Sequence, residues 1–167
     1  LVRKSGGFEM LEGGGMILLS PFAQKLRNGM PNPKSPVADW WGAVIQALGM
    51  PVVQIGVAGE PALVPDFRLG LPLAQITDLV RECDTWISPD SFLPHLAHHV
   101  GVPGIVVWSR SDPRLYGYSE NCNLLKSRSF LRKNPFGMWE EESYIPDAFP
   151  ELADVVKAVT LVVTGAG

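Results

Sequence analysis

Cysteine is scarce in this chain, which carries Cys83 and Cys122 in 167 residues. Two distant thiols build neither a disulfide framework nor a paired metal motif, so a reducing, cytoplasmic setting is expected. Long apolar runs are also missing. No stretch reaches the roughly 18 apolar residues of a membrane span, and the N-terminal stretch lacks the apolar centre of a secretory signal. Nor is there an excess of positive charge: 14 Lys and Arg against 17 Asp and Glu leave a net charge of −3. A chain of that balance lacks the basic surface needed for non-specific binding to nucleic acid or anionic membrane, so neither partner is expected. Three phosphate and nucleophile motifs are absent as well. No Gly-x-Gly-x-x-Gly follows the first apolar run, no loop ends in Gly-Lys-Ser/Thr, and no Gly-x-Ser-x-Gly occurs. Dinucleotide oxidoreductases, nucleoside triphosphatases and α/β-hydrolases thereby lose their usual signatures.

What is present fits one buried α/β domain. The chain is long enough for a single core, and its 46% hydrophobic content is that of a globular protein. Residues 1–15 show no helical or strand period and end in Gly13-Gly14-Gly15, so they read as a disordered tail or expression remnant. Residues 16–167 then form the domain. Met16-Ile17-Leu18-Leu19 is a buried strand closed by Ser20-Pro21. Ser35-Pro36 offers an N-cap with proline at the first helical position, followed by Val37, Trp40, Trp41, Val44, Ile45 and Leu48 at helical spacing up to Gly49. Strands are expected at 51–56, 86–88 and 104–108, with a further short one at 123–125; helices are expected at 73–83, 91–100 and 150–163. Alternation of strand and helix implies a Rossmann-like parallel sheet covered by helices on both faces.

In such a sheet ligands lie beyond the carboxyl ends of the strands. Three loops begin there. The first, 20–34, carries the Ser20 hydroxyl and the cations Lys25, Arg27 and Lys34; the second, 56–60, carries glycine and ends in Glu60; the third is Ser88-Pro89-Asp90-Ser91. Ser91 is a good N-cap, and the free amides of the turn behind it suit a phosphate. Asp90 suits the hydroxyls of a sugar, although either residue can instead simply cap the helix. His95 lies one turn further on, able to reach back toward the helix start. His98 and His99 follow it, but no acidic residue or cysteine takes a third-ligand spacing, so no metal is expected. Trp40 and Trp86 fit core positions, whereas Trp108 and Trp139 are open to either burial or stacking on a base.

The run Trp86-Ile-Ser-Pro-Asp-Ser-Phe-Leu-Pro-His-Leu-Ala97, the turn Gly101-Val-Pro-Gly104 and Ser111-Asp112-Pro113 resemble the heptosyltransferase-like glycosyltransferases, glycosyltransferase family 9. The resemblance implies the C-terminal, donor-binding half of a GT-B architecture, which takes a nucleoside-diphosphate sugar as substrate with no cofactor and no required metal. It implies that Asp90 contacts the donor sugar, that Ser91 and nearby amides hold the diphosphate with His95 in support, that Lys25 neutralises phosphate and that Glu60 contacts the nucleoside. Phe92 stands where the family has glycine. The catalytic base of such enzymes belongs to the other half, so the catalytic residues are not identified, and a partner chain or second copy is expected to supply the acceptor side. A non-catalytic nucleotide-sugar-binding or interaction module is the alternative, and a hydrolase or epimerase acting on a sugar nucleotide stays open.

Overall fold

The structure is a computed structural model that describes residues 3–5, 8–10 and 15–165. Strands β1 (Arg3–Ser5) and β2 (Phe8–Met10) pair antiparallel in a ladder of their own. Those residues of the stretch read as a tail are therefore strand, Gly15 lies close against the Met50 and Val163 side chains, and the rest of that reading lies outside the described residues.

The main sheet has six strands: β3 (Ile17–Leu19), β4 (Val52–Gly56), β5 (Phe67–Leu69), β6 (Thr85–Pro89), β7 (Ile105–Val107) and β8 (Cys122–Leu124). They are ordered β5-β4-β3-β6-β7-β8, and every neighbouring pair is parallel. From β3 the chain works outward through β4 to β5. It then crosses back to place β6 on the other side of β3 and works outward again to β8.

Period-two alternation assigns the strands to two cores. Ile17, Leu19, Ile87, Ile105 and Val107 point to one face, where helix α1 (Ala38–Leu48) supplies Trp41 and Val44 and the terminal α5 (Leu152–Thr164) supplies Val155, Ala158 and Val159. Leu18, Val53, Ile55, Trp86 and Val106 point to the other. There α2 (Leu73–Glu82) supplies Ile76, Leu79 and Val80, and α3 (Phe92–His99) supplies Leu93 and Ala97. The expected Rossmann-like sheet with helices on both faces is what forms.

One local expectation needs correcting, and two short elements appear that the sequence did not announce. Helix α1 starts at Ala38 with Val37 in the cap position and no side-chain cap, because the Ser35 hydroxyl is committed elsewhere: it accepts from the Ala23 N–H at 2.6 Å, in a buried bond that closes the first loop. Strand β5 is a three-residue edge strand, half-exposed and interrupted by Arg68, so it has no apolar run to announce it in the sequence. Ser111-Asp112-Pro113 opens a further short helix, α4 (Pro113–Tyr116), whose Arg114 N–H is capped by the Asp112 carboxylate.

The tryptophans divide differently from the sequence expectation. Trp41, Trp86 and Trp108 are the fully buried ones, whereas Trp40 is half-buried and packs edge-on against Trp41. The Trp86 indole donates to the Val102 carbonyl and lies so close to Gly104 that a Cβ there would collide with its ring. Gly42, in the middle of α1, has open space around it. Gly104→Ala is therefore expected to lower stability by about 1–3 kcal/mol through overpacking, and Gly42→Ala to raise it by roughly 0.5–1 kcal/mol. Urea unfolding of the two variants reads both signs.

Candidate functional site

Sheet order fixes where a cleft opens. The connections leaving β3 and β6 depart in opposite directions, so beyond their carboxyl ends nothing fills the space between the two loops. A cleft of about 970 Å³ lies there, and Ser20, Lys25, Glu60, Asp90, Ser91 and His95 all line it. The structure thus brings these six candidate residues to one cleft, whereas Arg27, His98, His99, Trp108 and Trp139 do not line it.

Each arrives by a different device. Ser20 is almost fully buried, and its N–H donates to the Ile87 carbonyl at 3.1 Å, extending the β3–β6 ladder by one step. The loop behind it is pinned to the core: the buried Trp41 indole donates to the Pro21 carbonyl at 2.9 Å, and the buried Ser109 hydroxyl donates to the Pro33 carbonyl at 2.8 Å. Lys25 is exposed on the cleft lining. Lys34, further along the same loop, sits deeper. Its ammonium lies 3.9 Å from the Asp90 carboxylate, with both side chains mostly covered, and 5.6 Å from the centre of the Trp139 ring. Arg132 stacks on that same ring at 3.8 Å. The electron-rich indole thus attracts two cations.

At the start of α3 neither expected cap is made. Ser91 occupies the cap position with an extended backbone, but its hydroxyl is shared with Ser88 Oγ at 2.9 Å and with the Pro89 carbonyl at 3.3 Å. Asp90 is turned to Lys34. The first turn of α3 therefore keeps the Phe92 and Leu93 N–H donors without a side-chain cap, Pro94 having none to offer, at the positive end of the helix dipole. Phe92 presents its ring to the cleft with 45% of its surface exposed. His95 does not turn back to the helix start; its Nδ1 is paired with the Tyr118 hydroxyl at 2.7 Å. His98 stacks on the Tyr118 ring and pairs with Glu120. Among the described residues no group of three or more His, Cys, Asp or Glu side chains is arranged to hold a metal ion, and no helix is long and apolar enough to cross a membrane.

Neither a family model nor a curated protein matches the sequence, so solved structures provide the comparison. A family 9 glycosyl transferase from Veillonella parvula superimposes with a TM-score of 0.63 at 15% identity, over 93% of this chain and 48% of that one. The ADP-heptose LPS heptosyltransferase II of E. coli gives 0.64 at 16% identity, over 94% and 49%. A dodecameric, iron-containing heptosyltransferase solved with ADP-D-β-D-heptose gives 0.55 at 12% identity, over 95% and 47%. The chain thus spans about half the length of each, and at these identities the likeness is one of fold.

The sequence alone underweighted two residues at the candidate site. Lys34 was one cation among three in its loop, and only the folded loop selects it as the partner of Asp90. Trp139 lies in an irregular stretch with no period, so nothing in the sequence placed its ring beside that lysine.

Glu60 turns back on its own loop, where its carboxylate accepts from the Val57 N–H at 3.2 Å and crowds Gly56. Burial pushes its carboxyl above the ordinary range, and the Val57 hydrogen bond opposes the shift. A raised folded value means that the folded state holds this proton more tightly than the unfolded chain. Stability from this group is therefore fully present below the unfolded value and declines as pH rises through the folded one. Carboxyl-carbon NMR is expected to show Glu60 titrating above the ordinary glutamate value, and Glu60→Gln is expected to flatten the stability profile across that window.

Proposed function

We propose that this chain is a donor-binding domain for a nucleoside-diphosphate sugar, with the acceptor side of a transfer reaction supplied by a further part of the polypeptide, a partner chain or a second copy. The observation that carries this reading is the convergence of Ser20, Lys25, Glu60, Asp90, Ser91 and His95 on one cleft at the switch in strand order. A diphosphate suits the uncapped start of α3, where amides and the dipole favour an anion. Lys34 and Lys25 neutralise its charge, and the 3.9 Å separation of Lys34 from Asp90 is loose enough for the ammonium to turn to a phosphate oxygen. Asp90 then accepts from sugar hydroxyls. Glu60, at the end of the strand next to β3, takes the ribose hydroxyls, the usual job of an acidic residue at that place in a Rossmann-like sheet. In its ionised form it accepts from them, so its raised pKa predicts weaker binding on the acid side. Binding of ADP-heptose by a solved protein of similar fold agrees with this ligand class.

Phe92 favours the second reading, a non-catalytic binding or interaction module. Its exposed ring stands in the cleft where the resemblance expects glycine, and a side chain there narrows the approach of phosphate to the helix start.

Calorimetry against a panel of nucleoside-diphosphate sugars tests the proposal. At least one is expected to bind, with Lys34→Ala weakening it roughly ten- to a hundredfold, as for loss of a charged hydrogen bond, and Asp90→Ala weakening the sugar nucleotide more than the bare diphosphate. Absence of binding across the panel would remove it. Binding that Phe92→Gly tightens, together with no transfer when an acceptor half is added, would favour the non-catalytic module.

A further inference from the structure

The polar chain beside the cleft has not been given a role. It runs from Glu120 to His98, across the face of Tyr118, and from the Tyr118 hydroxyl to Nδ1 of His95. His98 and Tyr118 stack with ring centres 3.8 Å apart and planes 10° from parallel. The backbone of Tyr118 is fixed as well, since its carbonyl accepts from the Asn123 side-chain amide at 2.9 Å and from the Asn121 N–H at 3.1 Å. The phenol therefore has little freedom to leave His95. Among the described residues, Tyr118 is the one hydrogen-bond partner of the His95 ring.

A neutral imidazole has one N–H and one lone pair, and the partner at one nitrogen decides what the other presents. A phenol is the better donor of the two groups in their neutral forms, so the bond runs from the Tyr118 hydroxyl to the Nδ1 lone pair. The proton of the neutral ring then resides on Nε2. We propose that Tyr118 is a positioning residue for the ligand site: it holds His95 in the orientation and tautomer that offers an Nε2–H donor to an anionic ligand in the cleft. With the opposite arrangement a lone pair would face the anion and repel it. His95 can thus assist a phosphate without first being charged. The titratable and charged groups around the cleft are Tyr118, bonded to His95, then Asp90, Glu60, Lys25 and Lys34 among the lining, with His98 and Glu120 engaged with each other and Ile76 as the contribution of α2.

The inference rests on the donor-site reading for the ligand, but its first test does not need one. Nitrogen NMR of the unliganded protein at a pH where histidine is neutral reports which ring nitrogen carries the proton. The wild type is expected to show a single His95 tautomer protonated at Nε2, and Tyr118→Phe a mixture with the Nδ1 hydrogen-bond shift lost. ADP titration then reads the consequence. Tyr118→Phe is expected to weaken ADP about fivefold, the effect of one hydrogen bond, and to have no further effect when added to His95→Ala. A wild-type proton on Nδ1, or equal losses with and without His95, would overturn the proposal. Failure of ADP to bind the wild type would count against the donor site instead, leaving the tautomer to decide the role of Tyr118.

Discussion

The structure depends on the parting of the chain at β3 and β6. A parallel sheet whose strand order reverses at its middle must send two adjacent connections away from each other, and the gap they leave is the cleft. Nothing at the site requires a strained backbone: among the described residues no peptide is cis and no residue other than glycine takes a positive φ. The site is a consequence of topology, and side chains only furnish it.

Furnishing depends on bonds that run from the cores to the loops. Trp41 is buried on one face of the sheet and still donates to Pro21; Ser35 gives up a helix cap to hold Ala23; Ser109, at the end of β7, holds Pro33. These bonds shape the first loop so that Lys34 meets Asp90 across the cleft. Each is modest alone, about 1 kcal/mol net, but each is buried, so a broken one leaves an unsatisfied polar group. Position in the site is thereby tied to the integrity of the cores.

The regular elements were legible because burial on both faces writes apolar runs into the strands and a helical period into their covers. Residues 17–19, 52–56, 85–89 and 105–107 are of this kind. Short half-exposed pieces were not: β5 carries Arg68 at its centre, and α4 is only four residues long. Ser35 shows the limit of local rules, since a serine before a proline has the composition of a cap and a long-range bond took its hydroxyl. The six site residues were legible through loop position and resemblance, whereas Lys34, Trp139 and Tyr118 owe their places to contacts between segments far apart in the chain. Phe92 was visible as a departure in the sequence, and the structure adds that its ring stands in the cleft.

The proposed site for a nucleoside diphosphate is the gap between the first loop and the start of α3. A crystal structure of the protein with ADP tests it most directly. The diphosphate is expected against Ser91 and the first turn of α3, within reach of Lys34, with the ribose toward Glu60. ADP bound elsewhere, or a cleft still empty at saturating ADP, would contradict it.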